Sequence, residues 1–265
     1  MDCSEKLQEL KKKLAEKEKI LISFSGGVDS SLLAKVAGDV LGENAICAIL
    51  DSETMPRSEL EKAEELARSF NINCLVAKYS MINDPDFVKN PPSRCYLCKK
   101  VSARTLKIVA AEKGITCIAD GVNLSDYSDY RPGIKASNEE GIWHPFLEAG
   151  ISKEDIRKLA KQMGLSFWDK PSSACLASRI PYGDQITGAN LAMVEIAEDH
   201  LKSLGLKQVR VRVHGSVARI EVPEDEMDKV LLSKDRITKD LKKAGFKYVA
   251  LDLQGFRSGS MNEVL

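Results

Sequence analysis

Residues 25–30 read Ser-Gly-Gly-Val-Asp-Ser, and they join an apolar run, Ile20-Leu21-Ile22-Ser23-Phe24, to a helical pattern from Leu32 to Ala37. Strand, glycine turn and helix in immediate succession form the first half of a βαβ unit. Two adjacent glycines let the backbone turn tightly and come close to a ligand, because no Cβ intervenes. The start of the following helix offers unpaired N–H groups at the positive end of its dipole, a natural seat for an anion. Ser25 and Ser30 add hydroxyls, and Asp29 adds a carboxylate of the kind that holds Mg²⁺ on a phosphate. A Walker A loop would carry a lysine for the outer phosphates. Residues 25–30 contain none, so the loop suits a grip on pyrophosphate.

Strands and helices alternate beyond this point. A first helix is expected over 4–17, with Leu7, Leu10 and Leu14 on one face. Strands are expected at 20–24, 45–50, 73–77 and 116–119, and helices at 30–41, 58–70 and 96–113. The strands are continuous apolar runs, as in a parallel sheet covered on both faces. The fold class is therefore α/β, a doubly wound parallel sheet. Ligands of such sheets sit beyond the carboxyl ends of the strands, where Asp51, Lys78, Asp120 and Gly121 join the glycine loop. A helix at 151–163 is capped by Ser152 with Asp155 three residues on. After a Pro- and Ser-rich connection, residues 187–253 read as a smaller α+β unit, with strands 208–213 and 218–222 forming a hairpin around His214-Gly215-Ser216. Two domains are expected, 1–183 and 184–265.

The 39 basic and 39 acidic side chains cancel, so nothing draws the whole chain toward nucleic acid or a membrane. No apolar run approaches a membrane span and the N-terminus does not read as a signal peptide, so a cytoplasmic location is expected. Seven cysteines, an odd number, then point to thiol or metal chemistry over a disulfide frame. Cys47, Cys74 and Cys117 fall in strands and read as small core residues, and Cys3 as solvated. Cys95 and Cys98 form a C-x-x-C flanked by Arg94, Lys99 and Lys100, and Cys175 lies in the polar connection between Lys170 and Arg179. Cys95, Cys98 and Cys175 together can ligate an Fe–S cluster that keeps one iron open. A redox dithiol at 95/98 with an incidental Cys175 is the other reading. His144, His200 and His214 lack metal-ligand spacing and read as structural or surface residues, and Trp143 and Trp168 as packing.

The S-G-G-V-D-S loop resembles the signature of the PP-loop ATP pyrophosphatases, which adenylate a substrate oxygen and release pyrophosphate. With R-C-Y-L-C-K at 94–99, D-G-V-N at 120–123, D-Y-R-P-G at 129–133, H-P-F-L-E-A-G at 144–150 and C-L-A-S-R-I-P-Y-G at 175–183, the chain resembles the LarE-type sulfur transferases over nearly its whole length. The resemblance implies a PP-loop/HUP-like domain. It implies ATP-dependent activation of a carboxylate on a pyridinium dicarboxylate mononucleotide and sulfur insertion to a thiocarboxylate, for the nickel pincer cofactor of lactate racemase.

Under that resemblance Ser25, Gly26, Gly27, Asp29 and Ser30 hold the ATP phosphates and Mg²⁺, and Asp120 and Gly121 line the adenylate pocket. Ser178, Arg210 and Arg212 bind the substrate phosphate. The two arginines share one face of a strand, where a solvated face is the plainer reading. Glu221 and Asp228 offer a weak distal acidic site. Cys95, Cys98 and Cys175 match the members that hold a [4Fe-4S] cluster, which carries sulfide. In other members the cysteine of the stretch matching 171–179 is sacrificed to dehydroalanine, and Cys175 serves either scheme. The expected partners are the mononucleotide and sulfide or a sulfur donor, with no membrane and no nucleic acid, in a homo-oligomer. The rivals are a PP-loop enzyme that thiolates tRNA or transfers ammonia, and a non-enzymatic Fe–S sensor.

Overall fold

The computed structural model describes residues 2–128, 132–171, 174–257 and 260. In chain order its elements are α1 (Cys3–Ala15), β1 (Ile20–Ser23), α2 (Val28–Leu41), β2 (Ala45–Asp51), α3 (Arg57–Ser69), β3 (Asn73–Lys78), α4 (Pro85–Val88), α5 (Arg94–Glu112) and β4 (Cys117–Ala119). There follow α6 (Pro132–Glu139), α7 (Pro145–Glu148), α8 (Lys153–Gln162), α9 (Gly188–Ser203), β5 (Arg210–His214), β6 (Val217–Glu221), α10 (Met227–Leu232), α11 (Lys234–Lys243) and β7 (Tyr248–Leu251). Short 3₁₀ turns lie at 42–44, 124–128, 176–179 and 224–226.

The chain divides into two compact units, the first made of residues 1–80 and 95–173. Its sheet has the order β3-β2-β1-β4, and every pairing is parallel. Side chains alternate across the strands as the pleat requires. Ile20 and Ile22 of β1, with Cys47 and Ile49 of β2, join α1, α2, α3 and α8 in one apolar layer. Leu21, Ile46 and Ala48 face Ala103, Leu106 and Ala110 of α5 in another. Both faces are thus covered, which is why these strands read as unbroken apolar runs. β2 flanks β1 on one side and β4 on the other, so the chain reverses direction across the sheet at the end of β1. That reversal is where open α/β sheets bind ligands, and the glycine loop occupies it. Two capping boxes fix helix starts, Asp2 with Glu5 on α1 and Ser152 with Asp155 on α8.

The second unit comprises residues 81–94 and 174–265. Its sheet order is β5-β6-β7, with β5 antiparallel and β7 parallel to β6. The β5–β6 turn contains Gly215 at φ +57°, a conformation that suits glycine in a tight hairpin. The division differs from the expected break at 183/184, because residues 81–94 and 174–183 pack into this unit. The buried Asn90 amide donates to Ile180 O (3.1 Å) and Pro181 O (2.6 Å), and the Gly183 N–H donates to Asn90 O (3.0 Å). The Arg94 guanidinium donates to Asn90 Oδ1 (2.7 Å) and lies 4.3 Å from the Tyr182 ring centroid.

Candidate active site

The glycine loop follows β1 directly. Gly26 sits at φ +67°, and a Cβ there would come within 2.9 Å of the Ala63 Cβ. Glycine is required at 26 twice over, by backbone conformation and by the close approach of α3. Gly27 is the N-cap of α2 and no side chain caps it, so the first turn presents its N–H groups. Ser30 Oγ accepts from the Ser25 N–H (3.2 Å) and donates to Gly27 O (3.2 Å), which folds the loop onto its helix. The Ser25 and Ser30 hydroxyls are 3.2 Å apart. Gly121 backs the same turn, since a Cβ on it would lie 3.0 Å from both Asp29 Cβ and Ser30 N.

Two lysines that sequence reading leaves out of the site reach this loop. Lys153, the first residue of α8, donates to both Asp29 oxygens (2.7 and 2.6 Å). Burial pushes the Asp29 carboxyl above its ordinary range, and the Lys153 ammonium opposes that shift. Lys170 donates to Gly26 O (3.1 Å) and pairs with Glu59 (3.3 Å). Lys153 is 124 residues from Asp29, and Lys170 is 144 from Gly26, so no local signal could couple them.

Asp120 ends β4 as expected, but its carboxylate is buried and already engaged. Oδ1 accepts from His144 Nδ1 (2.6 Å) and the Val122 N–H (3.2 Å), and Oδ2 from Lys99 (2.9 Å) and Ser137 (3.3 Å). Burial alone would raise this carboxyl, yet Lys99 and then His144 outweigh it and hold it well below the usual range. His144 is therefore a buried structural partner. Its Nε2 faces Asn138 Oδ1 (3.0 Å), whose amide nitrogen donates to the Tyr127 hydroxyl (3.2 Å). Trp143 packs against the core, its indole donating to Glu148 (2.9 Å).

The cysteines sort by exposure. Cys95 is exposed and Cys98 half-buried at the start of α5, with the Tyr79 hydroxyl 4.0 Å from Cys98 Sγ. Both belong to the first unit; Cys175 is exposed and belongs to the second, just before the 3₁₀ turn at 176–179. Among the described residues no group of three or more His, Cys, Asp or Glu is arranged around a metal position. No cysteine is in a disulfide. Burial drives the thiol of the fully buried Cys47 far up and that of Cys74 up to about 11. Cys74 and Cys117 are half-buried against the same core. Cys3, expected in solvent, also packs there and donates to Asp155 O (3.8 Å). Residues 129–131 of the D-Y-R-P-G motif, and Ser172 and Ser173, lie outside the described residues.

In the second unit Arg210 and Arg212 do share one face of β5, and Arg212 is buried. Arg212 donates to Ser178 O (2.8 Å), Glu221 (2.7 Å) and Ser260 (2.9 Å). Arg210 is half-buried, 5.4 Å from the Phe256 ring centroid, and burial followed by the charge of Arg179 lowers its pKa to about 10. Arg179 pairs through two nitrogens with the buried Glu198 (2.8 and 2.9 Å) and donates to Ala174 O, Cys175 O and the Ser178 hydroxyl. Glu221 is fully buried between Arg212 and Arg219, which removes it from any open acidic site. The Nε atoms of Arg212 and Arg219 are buried with no partner among the described residues. Arg212 is thus held in a buried ion pair, while Arg210 and Arg219 stay partly exposed.

Residues 3–86 match the NAD synthase family model, which covers the loop and the first three strands. An uncharacterized protein of Synechocystis is 41% identical over 262 residues, 98% of both chains. The Lactiplantibacillus plantarum protein described as pyridinium-3,5-bisthiocarboxylic acid mononucleotide synthase is 40% identical over 253 residues, 95% of this chain and 92% of that one. An uncharacterized protein of Methanocaldococcus jannaschii is 33% identical over 256 residues, 96% of this chain and 98% of that one. The likeness spans both units and the loop geometry agrees with it: the chain belongs to the LarE-type family of ATP-dependent sulfur transferases, within the PP-loop superfamily.

Proposed function

We propose that this protein uses ATP to convert a carboxylate of a pyridinium dicarboxylate mononucleotide into a thiocarboxylate. The observation that carries the reading is the uncapped first turn of α2 behind a glycine loop with no room for a Cβ at 26. A carboxylate oxygen of the substrate attacks the α-phosphorus of ATP, the bond to the β-phosphate oxygen breaks, and pyrophosphate leaves into the loop. Its charge meets the N–H groups of α2 and the hydroxyls of Ser25 and Ser30. Asp29 suits Mg²⁺, since its carboxylate is partly exposed and the Lys153 ammonium that covers it can move aside on its flexible stem. Gly121 packs against the loop, and Asp120, the residue before it, holds Lys99 in an ion pair. Ser178, Arg210 and Arg212 receive the substrate phosphate, a role favoured by the half-buried Arg210, which burial and then the neighbouring Arg179 leave in need of an anion.

The sulfur step exchanges AMP for sulfide on the acyl adenylate, giving thiocarboxylate, AMP and a proton. Cys95 and Cys98, accessible and one helical turn apart, fit as soft ligands of a [4Fe-4S] cluster with Cys175 as the third. When bound, such a cluster supplies a sulfide on its open iron. In the alternative, Cys175 thiolate displaces AMP to give a thioester, and loss of the Cα proton to a base with cleavage of the Cβ–Sγ bond then leaves dehydroalanine and releases the thiocarboxylate. The protein then works as a cytoplasmic homo-oligomer with sulfide or a sulfur donor as partner; no helix among the described residues is long and apolar enough to cross a membrane.

The test is anaerobic purification with iron and sulfide quantified, then turnover with ATP, mononucleotide and sulfide. Expected are bound iron that each Ala variant of Cys95, Cys98 and Cys175 loses, several thiocarboxylates per chain, and no pyrophosphate release from Asp29→Ala. Iron-free protein that stops at one turnover with dehydroalanine at 175 selects the sacrificial route. Unchanged pyrophosphate release from Asp29→Ala sinks the nucleotide site.

A further inference from the structure

The bidentate contact between Lys153 and Asp29 has a consequence for the order in which ligands bind. The Lys153 ammonium covers both carboxylate oxygens at 2.7 and 2.6 Å. Its root is rigid: Ser152 and Asp155 form a capping box, and the Lys153 N–H donates to Ser125 Oγ (3.1 Å). Its side chain, a flexible four-carbon stem with the ammonium at its end, is about one-third exposed (35%). A fixed root and a mobile head describe a side chain that can leave its partner without disturbing the helix. The other charges acting on Asp29 are Asp126, which adds negative potential, and Arg157 from the next turn of α8, which adds positive.

A divalent cation arriving alone at Asp29 would meet an ammonium at contact distance. It would have to displace Lys153 into solvent or stand against its repulsion. A cation arriving with a polyphosphate faces a different balance, because the phosphate charge offsets both positive groups and offers the displaced ammonium a new partner. We infer that Lys153 is a positioning residue that stands in for the metal on Asp29, so that a divalent cation enters only together with the polyphosphate. This inference rests on the nucleotide reading of the loop. It assigns to a distant residue the ammonium that residues 25–30 lack.

Calorimetry with Mn²⁺ on EDTA-treated full-length protein, with and without inorganic pyrophosphate, tests it. A Lys153→Met variant should bind Mn²⁺ alone at least tenfold more tightly than the unmodified protein, and Asp29→Asn in the same chain should remove that gain. Lys153→Arg, which keeps the cation, should exclude the metal as lysine does. The unmodified protein should take up Mn²⁺ at this site only when pyrophosphate is present. Equal Mn²⁺ affinity of Lys153→Met and the unmodified protein overturns the inference, as does equal uptake with and without pyrophosphate. If Lys153→Met fails to fold, a Lys153→Arg chain that binds Mn²⁺ without pyrophosphate overturns it, and one that requires pyrophosphate upholds it. Absence of Mn²⁺ uptake by the unmodified protein with pyrophosphate removes the nucleotide reading itself and this inference with it.

Discussion

Replacing Glu198 by Gln should cost the second unit about 3–5 kcal/mol, the usual result of leaving one member of a buried ion pair unpaired. Both partners are nearly inaccessible, at 2% exposure each. Glu198 Oε1 accepts from Arg179 Nε (2.8 Å) and the Val211 N–H (3.0 Å), and Oε2 accepts from Arg179 Nη2 (2.9 Å). Glutamine keeps one acceptor for the first two donors but turns an amide N–H₂ toward Nη2, donor against donor. The guanidinium then stays buried without a counter-charge. Against a typical domain stability of about 5–15 kcal/mol, that is a large fraction. Tryptophan fluorescence would miss the change, since Trp143 and Trp168 both lie in the first unit. Hydrogen exchange at the amides of Val211 and Val213 reads it directly, and the expected loss accelerates exchange by about two to four orders of magnitude. The Ser178 amide, bonded to Cys175 O (3.0 Å), should loosen too, because Arg179 also clamps that carbonyl. The double replacement Arg179→Met/Glu198→Leu should recover much of the loss, as apolar substitutes for buried pairs often do. Acceleration below tenfold in Glu198→Gln would show that the pair is not the electrostatic anchor of this unit.

Gly26→Ala should destabilise the first unit by about 1–2 kcal/mol through its left-handed backbone, with about 1–3 kcal/mol more from overpacking against Ala63; urea unfolding followed by tryptophan fluorescence checks it, and an unchanged midpoint refutes it. Asp120 is held below its ordinary carboxylate range. Its stabilisation is therefore complete above the unfolded pKa of about 3.9 and is lost as pH falls below it. Melting temperatures of Asp120→Asn should be lower at neutral pH and flatter against pH below that point, and parallel profiles for the two proteins refute the linkage. In iron-free, reduced protein at pH 8, iodoacetamide should label the exposed Cys95 and Cys175 first and the buried Cys47 only on unfolding, as peptide mass spectrometry can follow. Labelling of Cys47 at the rate of Cys175 would place the thiol outside the core.

Most of the first unit was legible because its signals are local. The strands are short apolar runs, the helices repeat every three or four residues, and the helix start at Ser152 carries both halves of its capping box. The β5–β6 hairpin likewise announced itself through His214-Gly215-Ser216, though the strands begin and end a residue or two away from the expected bounds. What escaped depends on contacts far apart in sequence. The short, polar helix at Pro132–Glu139 is absent from the expected elements. Residues 81–94 join the second unit through contacts such as the buried Asn90 amide, which reaches 90 residues forward to Ile180. Arg179 looked like a cation beside Cys175, yet its charge is spent on Glu198, and what Cys175 receives is a hydrogen bond to its backbone carbonyl.

The same distinction governs the glycine loop. A neighbouring charge in sequence says little about electrostatics, because interaction falls with distance in space and helices carry side chains far from their sequence neighbours. Residues 25–30 contain a carboxylate and no cation, which reads as an anion site that depends on a metal. In the folded chain the same loop receives one ammonium on Asp29 and another on the Gly26 carbonyl, both from beyond residue 150. Both arrive by way of α8. Lys153 sits at its first position, and Arg157 one turn later holds the carbonyls of Trp168 (2.8 Å) and Lys170 (3.0 Å), which fixes the backbone from which Lys170 reaches back. A helix that in the sequence shows only its periodicity and its cap thus sets the charge of the loop at the sheet's rim. Substitutions along its 153/157 face should accordingly alter ligand binding at residues 25–30 before they alter the stability of the fold.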